Sequence, residues 1–457
     1  MPFKYRMGPI RYVGALGLAL ALMAVGAREA SAAVYALNYE PGAIWQFGQN
    51  SNGALRSLSP ASIAAQQFAG GGEGQEGVAI SRDGRSLYVT EVPSSGSGLV
   101  AQFDVSASGA LKPKSTPTVV AGTRPRVVAL SPNGKNVYVN DIGFPGNIWE
   151  YSVQAGGALK PTGSASGADT CGLSGSGMAV TPNSRYVYVG RQNESFCGAI
   201  VLLTANATGQ LSETHAYHTA LDSVSDVVIS PDGKSLYAIE DTTRVDQFDI
   251  GTGGSLTAKT PASVGPASPP TNFGQQQAAI SPNGRSLYVT AHDSSCGAGG
   301  GASVVLRYAI GSGGHLAAPQ TFAATPNSAQ VGGVAVSGDG KSVYVAKATC
   351  GTGGGGVLQY NVSASGGLTE KSPFSVNAGT FMMAIAASPL APQCVVPNLK
   401  GKTLAAAKQA LKQAHCALGT VTEKKSSGKA GIVLSQRPTP GKHLPAGSKV
   451  SVVLSKH

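Results

Sequence analysis

Six copies of one eight-residue pattern pace this chain. They run Ser81–Tyr88, Ser131–Tyr138, Thr181–Tyr188, Ser230–Tyr237, Ser281–Tyr288 and Ser337–Tyr344, and successive tyrosines lie 50, 50, 49, 51 and 56 residues apart. Each copy reads as a hairpin. An apolar strand such as Val78-Ala79-Ile80 enters a turn around Asp83-Gly84, and Leu87-Tyr88-Val89 returns. A period near 50 built from strand-forming residues points to propeller blades rather than a helical solenoid.

A second hairpin follows in each unit. Gln102-Phe103-Asp104-Val105 leads to Gly109-Ala110-Leu111, and Gln359-Tyr360-Asn361-Val362 leads to Gly366-Gly367-Leu368. The ends of the series are incomplete in complementary ways. Val34-Tyr35-Ala36, Ile44-Trp45-Gln46-Phe47 and Gly53-Ala54-Leu55 supply strands two to four of a blade, and Ala384–Pro389 supplies a lone first strand. Joined, they make a seventh blade and leave no sheet edge open at the seam. The expected fold is an all-β seven-bladed β-propeller followed by a small α+β domain.

Composition agrees. Of 457 residues 62 are Gly, 12% are charged and 42% are hydrophobic, with no Gly-x-y period. Collagen-like and highly charged disordered classes are excluded, and a buried core is within reach. The net charge of +11 is unevenly placed. Residues 33–393 carry 19 Lys/Arg against 21 Asp/Glu, whereas residues 394–457 carry 11 against one. A nucleic-acid partner is therefore not expected for the body, and export argues against one for the tail.

Export is read from the N-terminus. Lys4, Arg6 and Arg11 precede the apolar run Val13–Ala27, and Ala30-Ser31-Ala32 offers small residues for cleavage. The run is 15 residues long, short of the roughly 20 needed to span a bilayer. The expected organisation is a signal peptide over 1–32, a propeller over 33–391 and a basic domain over 394–457, with no transmembrane segment after cleavage.

With these motifs in view, residues 34–391 resemble the YVTN-type seven-bladed propellers. That group includes 6-phosphogluconolactonase-like and carboxymuconate-cyclising lactonases, so the resemblance implies the fold and, as an alternative function, lactone hydrolysis. Val396-Pro397-Asn398-Leu399 precedes a helical stretch Thr403–Ala414 with Leu404, Ala407, Leu411 and Ala414 on one face. Strand-like runs follow at 418–422, 431–435 and 449–454, with Pro438-Thr439-Pro440-Gly441 and Pro445-Ala446-Gly447 between the last two. Taken together these residues resemble a PASTA domain, a βαββ module of bacterial wall-associated kinases and transpeptidases, and the resemblance implies contact with peptidoglycan or an anionic wall polymer, for which Lys424, Lys425, Arg437 and Lys442 are candidates.

Six cysteines in an exported chain imply three disulfides, with 15 possible connectivities. Local pairing favours Cys171 with Cys197 inside one blade, Cys296 with Cys350 in neighbouring blades, and Cys394 with Cys416 around the helix. No Cys-x-x-Cys and no Cys–His ligand spacing occurs, so no metal is expected; no cofactor is expected either.

Propeller sites gather where first strands begin and second strands end. Glu76, Arg126, Asp226 and Gln277 precede first strands; Asn38, Asp141, Arg191, Asp241, His292 and Lys347 follow second strands. Glu76, Arg126 and His292 are the candidates for base and oxyanion stabiliser in a hydrolase. The remaining seven are candidate ligand contacts. No set of these residues forms a recognisable catalytic motif, and the leading expectation is a non-enzymatic exported binding or scaffold protein at the cell wall.

Overall fold

The blade tyrosines show how the repeat becomes a ring. In the computed structural model each phenol is buried and donates to a glycine carbonyl in the outer hairpin of the next blade. The pairs are Tyr35–Gly109, Tyr88–Gly157, Tyr138–Gly209, Tyr188–Gly254, Tyr237–Gly314, Tyr288–Gly366 and Tyr344–Gly53, at 2.6–2.8 Å. The last returns to the first blade. Burial pushes these phenols up, to about 12 at Tyr88, Tyr237 and Tyr344, so they remain donors throughout the physiological range.

The structure describes residues 32–456 except 39–41, 65–76, 94, 144–145, 167–172, 174, 192–198, 220–222, 241–243, 268–276, 292–302, 325–328, 350–353, 380–381, 390–392, 415, 427–428 and 446–447. Among the described residues seven antiparallel four-stranded sheets occur. Blade 1 combines Met382–Ala387 with Ala33–Asn38, Ala43–Gln49 and Leu55–Ala64; blades 2 to 7 follow in chain order. The first strand of each blade lies against that of the next, and the series closes where Met382–Ala387 meets Val78–Ile80. The seam is the expected one: Val34, Tyr35, Ala36 and Leu37 pair with Ala387, Ala386, Ile385 and Ala384.

Between blades the core is apolar, as where Ala33, Tyr35, Leu37 and Ile44 of blade 1 pack on Leu87, Val89, Ala101 and Phe103 of blade 2. Polar staples lock the periphery. Gln46, Gln102, Gln247 and Gln359, all fully buried, each donate to a carbonyl of their own outer strand and accept from a backbone N–H of a neighbouring blade. Lys114 pairs with Asp104 and donates to the Gly156 carbonyl; Lys259 repeats this with Asp249 and Gly313. Buried polar groups are thus satisfied across the blade boundaries, where a blade alone would leave them bare.

Glycines set how closely inner strands approach. A Cβ on Gly77 would lie 2.4 Å from the Arg126 carbonyl oxygen, and one on Gly177 would lie 2.5 Å from the Asp226 Cα.

The C-terminal domain has its own core. Helix Leu404–Gln413, capped by the Thr403 hydroxyl, buries Ala407 and Leu411 against Val433, Val450, Val452 and Leu454. Strand Lys449–Lys456 runs parallel to Ala417–Lys425 and antiparallel to Val433–Arg437. The strand opening the domain, Gln393–Val395, pairs instead with His443–Pro445, outside that sheet. Cys394 and Cys416 form the expected disulfide across the helix. The other four cysteines lie outside the described residues.

Candidate functional site

Second strands reach one end of the blades at the third residue beyond the tyrosine. Those residues are Asn38, Glu91, Asp141, Arg191, Glu240, Ala291 and Lys347. The bulged starts of first strands meet them there, with Pro125 opposite Asp141, Val224 opposite Glu240 and Val331 opposite Lys347. The register therefore gathers Asn38, Arg126, Asp141, Arg191, Asp226, Gln277 and Lys347 at one end. Glu91 and Glu240 belong to the same set, and a count of three from each tyrosine would have found them. Asp241 and His292 come one residue later and, like Glu76, lie outside the described residues.

Burial changes the meaning of this ring. Asn38, Glu91, Asp141, Arg191 and Glu240 are all under 5% exposed. Asp141 has its carboxylate occupied: one oxygen accepts from the N–H of Arg124 at 2.7 Å and of Gly143 at 3.1 Å, the other from Thr123 at 3.0 Å. It fastens the linker between blades 2 and 3. Asn38, Glu91, Arg126, Arg191 and Glu240 are also partnered.

Arg126 and Gln277 stand at a repeated junction. The Gly77 N–H donates to the Thr90 hydroxyl at 2.8 Å, which donates to the Arg126 carbonyl at 3.2 Å. Thr290 likewise accepts from Gln277 and donates to Gly332 of blade 7 at 2.7 Å. These threonines tie the start of one inner strand to the next blade.

Asp226 differs from its neighbours. It sits between the inner strands of blades 5 and 6, with one oxygen accepting from Ala278 N–H at 2.9 Å and the other from Val227 N–H at 2.8 Å. Burial outweighs both bonds and pushes its carboxyl from 3.8 up to about 7. The folded state therefore holds the proton more tightly than the unfolded chain. Stability contributed by this group is greatest below about pH 4, falls as pH rises to about 7, and is level beyond. Allowing for partial exposure, the loss is on the order of 3 kcal/mol. Urea midpoints at pH 5 and pH 8 should differ less in Asp226→Asn than in the native chain.

In the C-terminal domain all eleven basic side chains are exposed, Lys424, Lys425, Arg437 and Lys442 included. Its one carboxylate, Glu423, lies 3.2 Å from the Lys456 ammonium. Among the described residues no cluster of three or more His, Cys, Asp or Glu suited to a metal occurs, and no helix is long and apolar enough to cross a membrane.

Comparison with known proteins separates the two parts. Residues 395–456 match the PASTA domain family. No match was found among the curated proteins. A putative 6-phosphogluconolactonase from Bacteroides uniformis is similar in structure at 18% identity, covering 79% of this chain and 100% of its own, with a TM-score of 0.55. The periplasmic gluconolactonase of Pseudomonas aeruginosa is similar at 15% identity, 79% and 99% coverage and a TM-score of 0.58. Hydrazine synthase of Kuenenia stuttgartiensis shares the fold at 20% identity, 72% and 94% coverage and a TM-score of 0.52. Such likeness establishes architecture, and architecture alone does not fix chemistry. The chain is a seven-bladed β-propeller, a fold it shares with these solved structures, and it carries a C-terminal PASTA domain.

Proposed function

We propose that this protein is an exported propeller that binds or scaffolds a partner while its PASTA domain holds it to the bacterial cell wall. The observation that carries the reading is the segregation of charge. Eleven exposed cations and one carboxylate occupy the PASTA domain, while the propeller stretch is nearly balanced. PASTA domains generally bind peptidoglycan, which fits. Cleavage after Ala32 would also leave the seam strand Ala33–Asn38 whole. At the candidate end of the propeller the Asp141 carboxylate is filled by backbone N–H groups, which favours recognition by its surface over catalysis there.

Exposed lysines are screened over about 8 Å at physiological salt, so one module binds weakly. The mature chain should co-sediment with purified cell walls at low ionic strength and be largely released at about 0.5 M salt. A chain ending at residue 391 should stay in the supernatant. Equal sedimentation of both, or of neither, would overturn the tethering role.

A second reading, lactone hydrolysis at the same end of the propeller, draws on Asp226. A carboxyl titrating near 7 suits proton transfer at neutral pH, and the solved structures of similar fold include a gluconolactonase. Acid release from a panel of lactones, abolished by Asp226→Asn as well as by Glu76→Gln or His292→Ala, is the outcome that would put this reading first.

A further inference from the structure

The PASTA sheet has two unlike faces. Val433, Val450, Val452 and Leu454 turn one face to the helix. Alternation and register place Lys449, Ser451 and Val453 on the other, which is exposed or half-buried as far as Ser455, whose hydroxyl donates to the Lys429 carbonyl and accepts from the Ile432 N–H. Thr422 and Ser435 flank Val453 there, Arg437 lies beside Ser451, and Lys424 lies beside Ser455. The open face is therefore a strip of hydroxyls with three cations on it. Glu423 shares its register with Leu454 and so belongs to the opposite face, leaving no carboxylate on this one.

Spacing narrows the partner. At about 3.3 Å per residue, Arg437 stands about 7 Å along the strand from the row of Lys449, and Lys424 about 20 Å from it. A three-carbon polyol linked by phosphodiesters repeats every six backbone bonds. Extended, that is twice the reach of one residue's three bonds, about 7 Å. The cations stand on three neighbouring strands, Arg437 and Lys424 on the two outer ones, so such a polymer would cross the sheet obliquely, and the Arg437 guanidinium fork suits a phosphate's oxygens. We infer that the open face of the PASTA sheet, through Lys424, Arg437 and Lys449, binds an extended phosphodiester-linked polyol polymer. The inference rests on the wall-tethering reading and adds a ligand class and a surface to it.

The test uses the full mature chain and soluble poly(glycerol phosphate), with polygalacturonate as a carboxylate polymer. Combined K424Q, R437Q and K449Q should weaken binding to poly(glycerol phosphate) at least tenfold. It should also lower the slope of log affinity against log salt by about 2, as expected for three lost phosphate contacts on a single-stranded polyanion. Combined K402Q, K408Q and K412Q removes the same charge from the helix side and should cost about threefold or less, with the slope nearly kept. Arg437→Lys should fall between, because charge remains and the fork is lost. All substituted positions are exposed, and unchanged thermal melts confirm folding. Equal losses from the two triple variants would overturn the surface, and equal affinity for polygalacturonate would overturn the phosphodiester. A chain that sediments with walls yet ignores poly(glycerol phosphate) would overturn this inference alone; failure to sediment would overturn the tethering itself.

Discussion

Deleting residues 384–391 should unfold the propeller as a unit. The deletion removes Ala384–Ala387, whose partners are Val34 to Leu37 of the blade's second strand. It also removes Ile385 from the core shared by blades 1 and 7, where it packs with Val34, Phe47 and Tyr344. An unpaired edge and an uncovered core appear together at the one place where the ring depends on distant parts of the chain. The loss should exceed about 5 kcal/mol, the lower end of ordinary domain stability, so the variant should lack a cooperative thermal transition. A deletion chain that melts with the native profile would disprove closure through this strand.

Gly177→Ala is the next largest effect. The added Cβ would lie 2.5 Å from the Asp226 Cα and 2.7 Å from the Val227 nitrogen, both backbone atoms of the next blade. No side chain can swing aside to relieve this, so blades 4 and 5 must separate. A cost of about 2–3 kcal/mol is expected, read as a lower urea midpoint at constant slope. Gly367→Ala is the control. Its new Cβ would meet nothing nearer than the Ser363 hydroxyl at 3.3 Å, and it should shift the midpoint little.

The architecture was legible because the ring repeats one solution seven times. Tyrosine spacing gave the blades, and the mismatched ends gave the seam, since a propeller has no other use for a lone strand at Ala384–Ala387. The reason for the tyrosine was not legible. A core aromatic and a donor to the next blade look alike in sequence, and only the Gly109-type carbonyls in register with each phenol distinguish them. The candidate ring was partly legible. Asp241 and His292 are expected just after their second strands, whereas the register selects Glu240 and Ala291 one residue earlier. Glu91 escaped because a buried acid at a strand end resembles an ordinary solvated one. Nor could sequence distinguish Asp141, whose carboxylate is filled by backbone N–H groups, from a side chain presented to a ligand. In the PASTA domain the helix fell within a residue of expectation because Thr403 caps it. The first strand went elsewhere because Gln393–Val395 finds its partner in His443–Pro445.

The strand that clasps the ring is also the one that leads to the PASTA domain. Ala387 ends the innermost strand of blade 1, and Gln393 begins the first strand leading into the PASTA domain. Any pull between the PASTA domain and the propeller therefore enters at Ser388. There Ser388 N–H donates to the Ala33 carbonyl at 2.8 Å, and Ala33 N–H donates to the Ser388 hydroxyl at 3.4 Å. Tension arriving at that end peels the antiparallel pair from Ala387 inward, one hydrogen bond after another, instead of shearing the whole row together. The fold thus has a mechanical direction in which it is weak, and its own leash pulls along it.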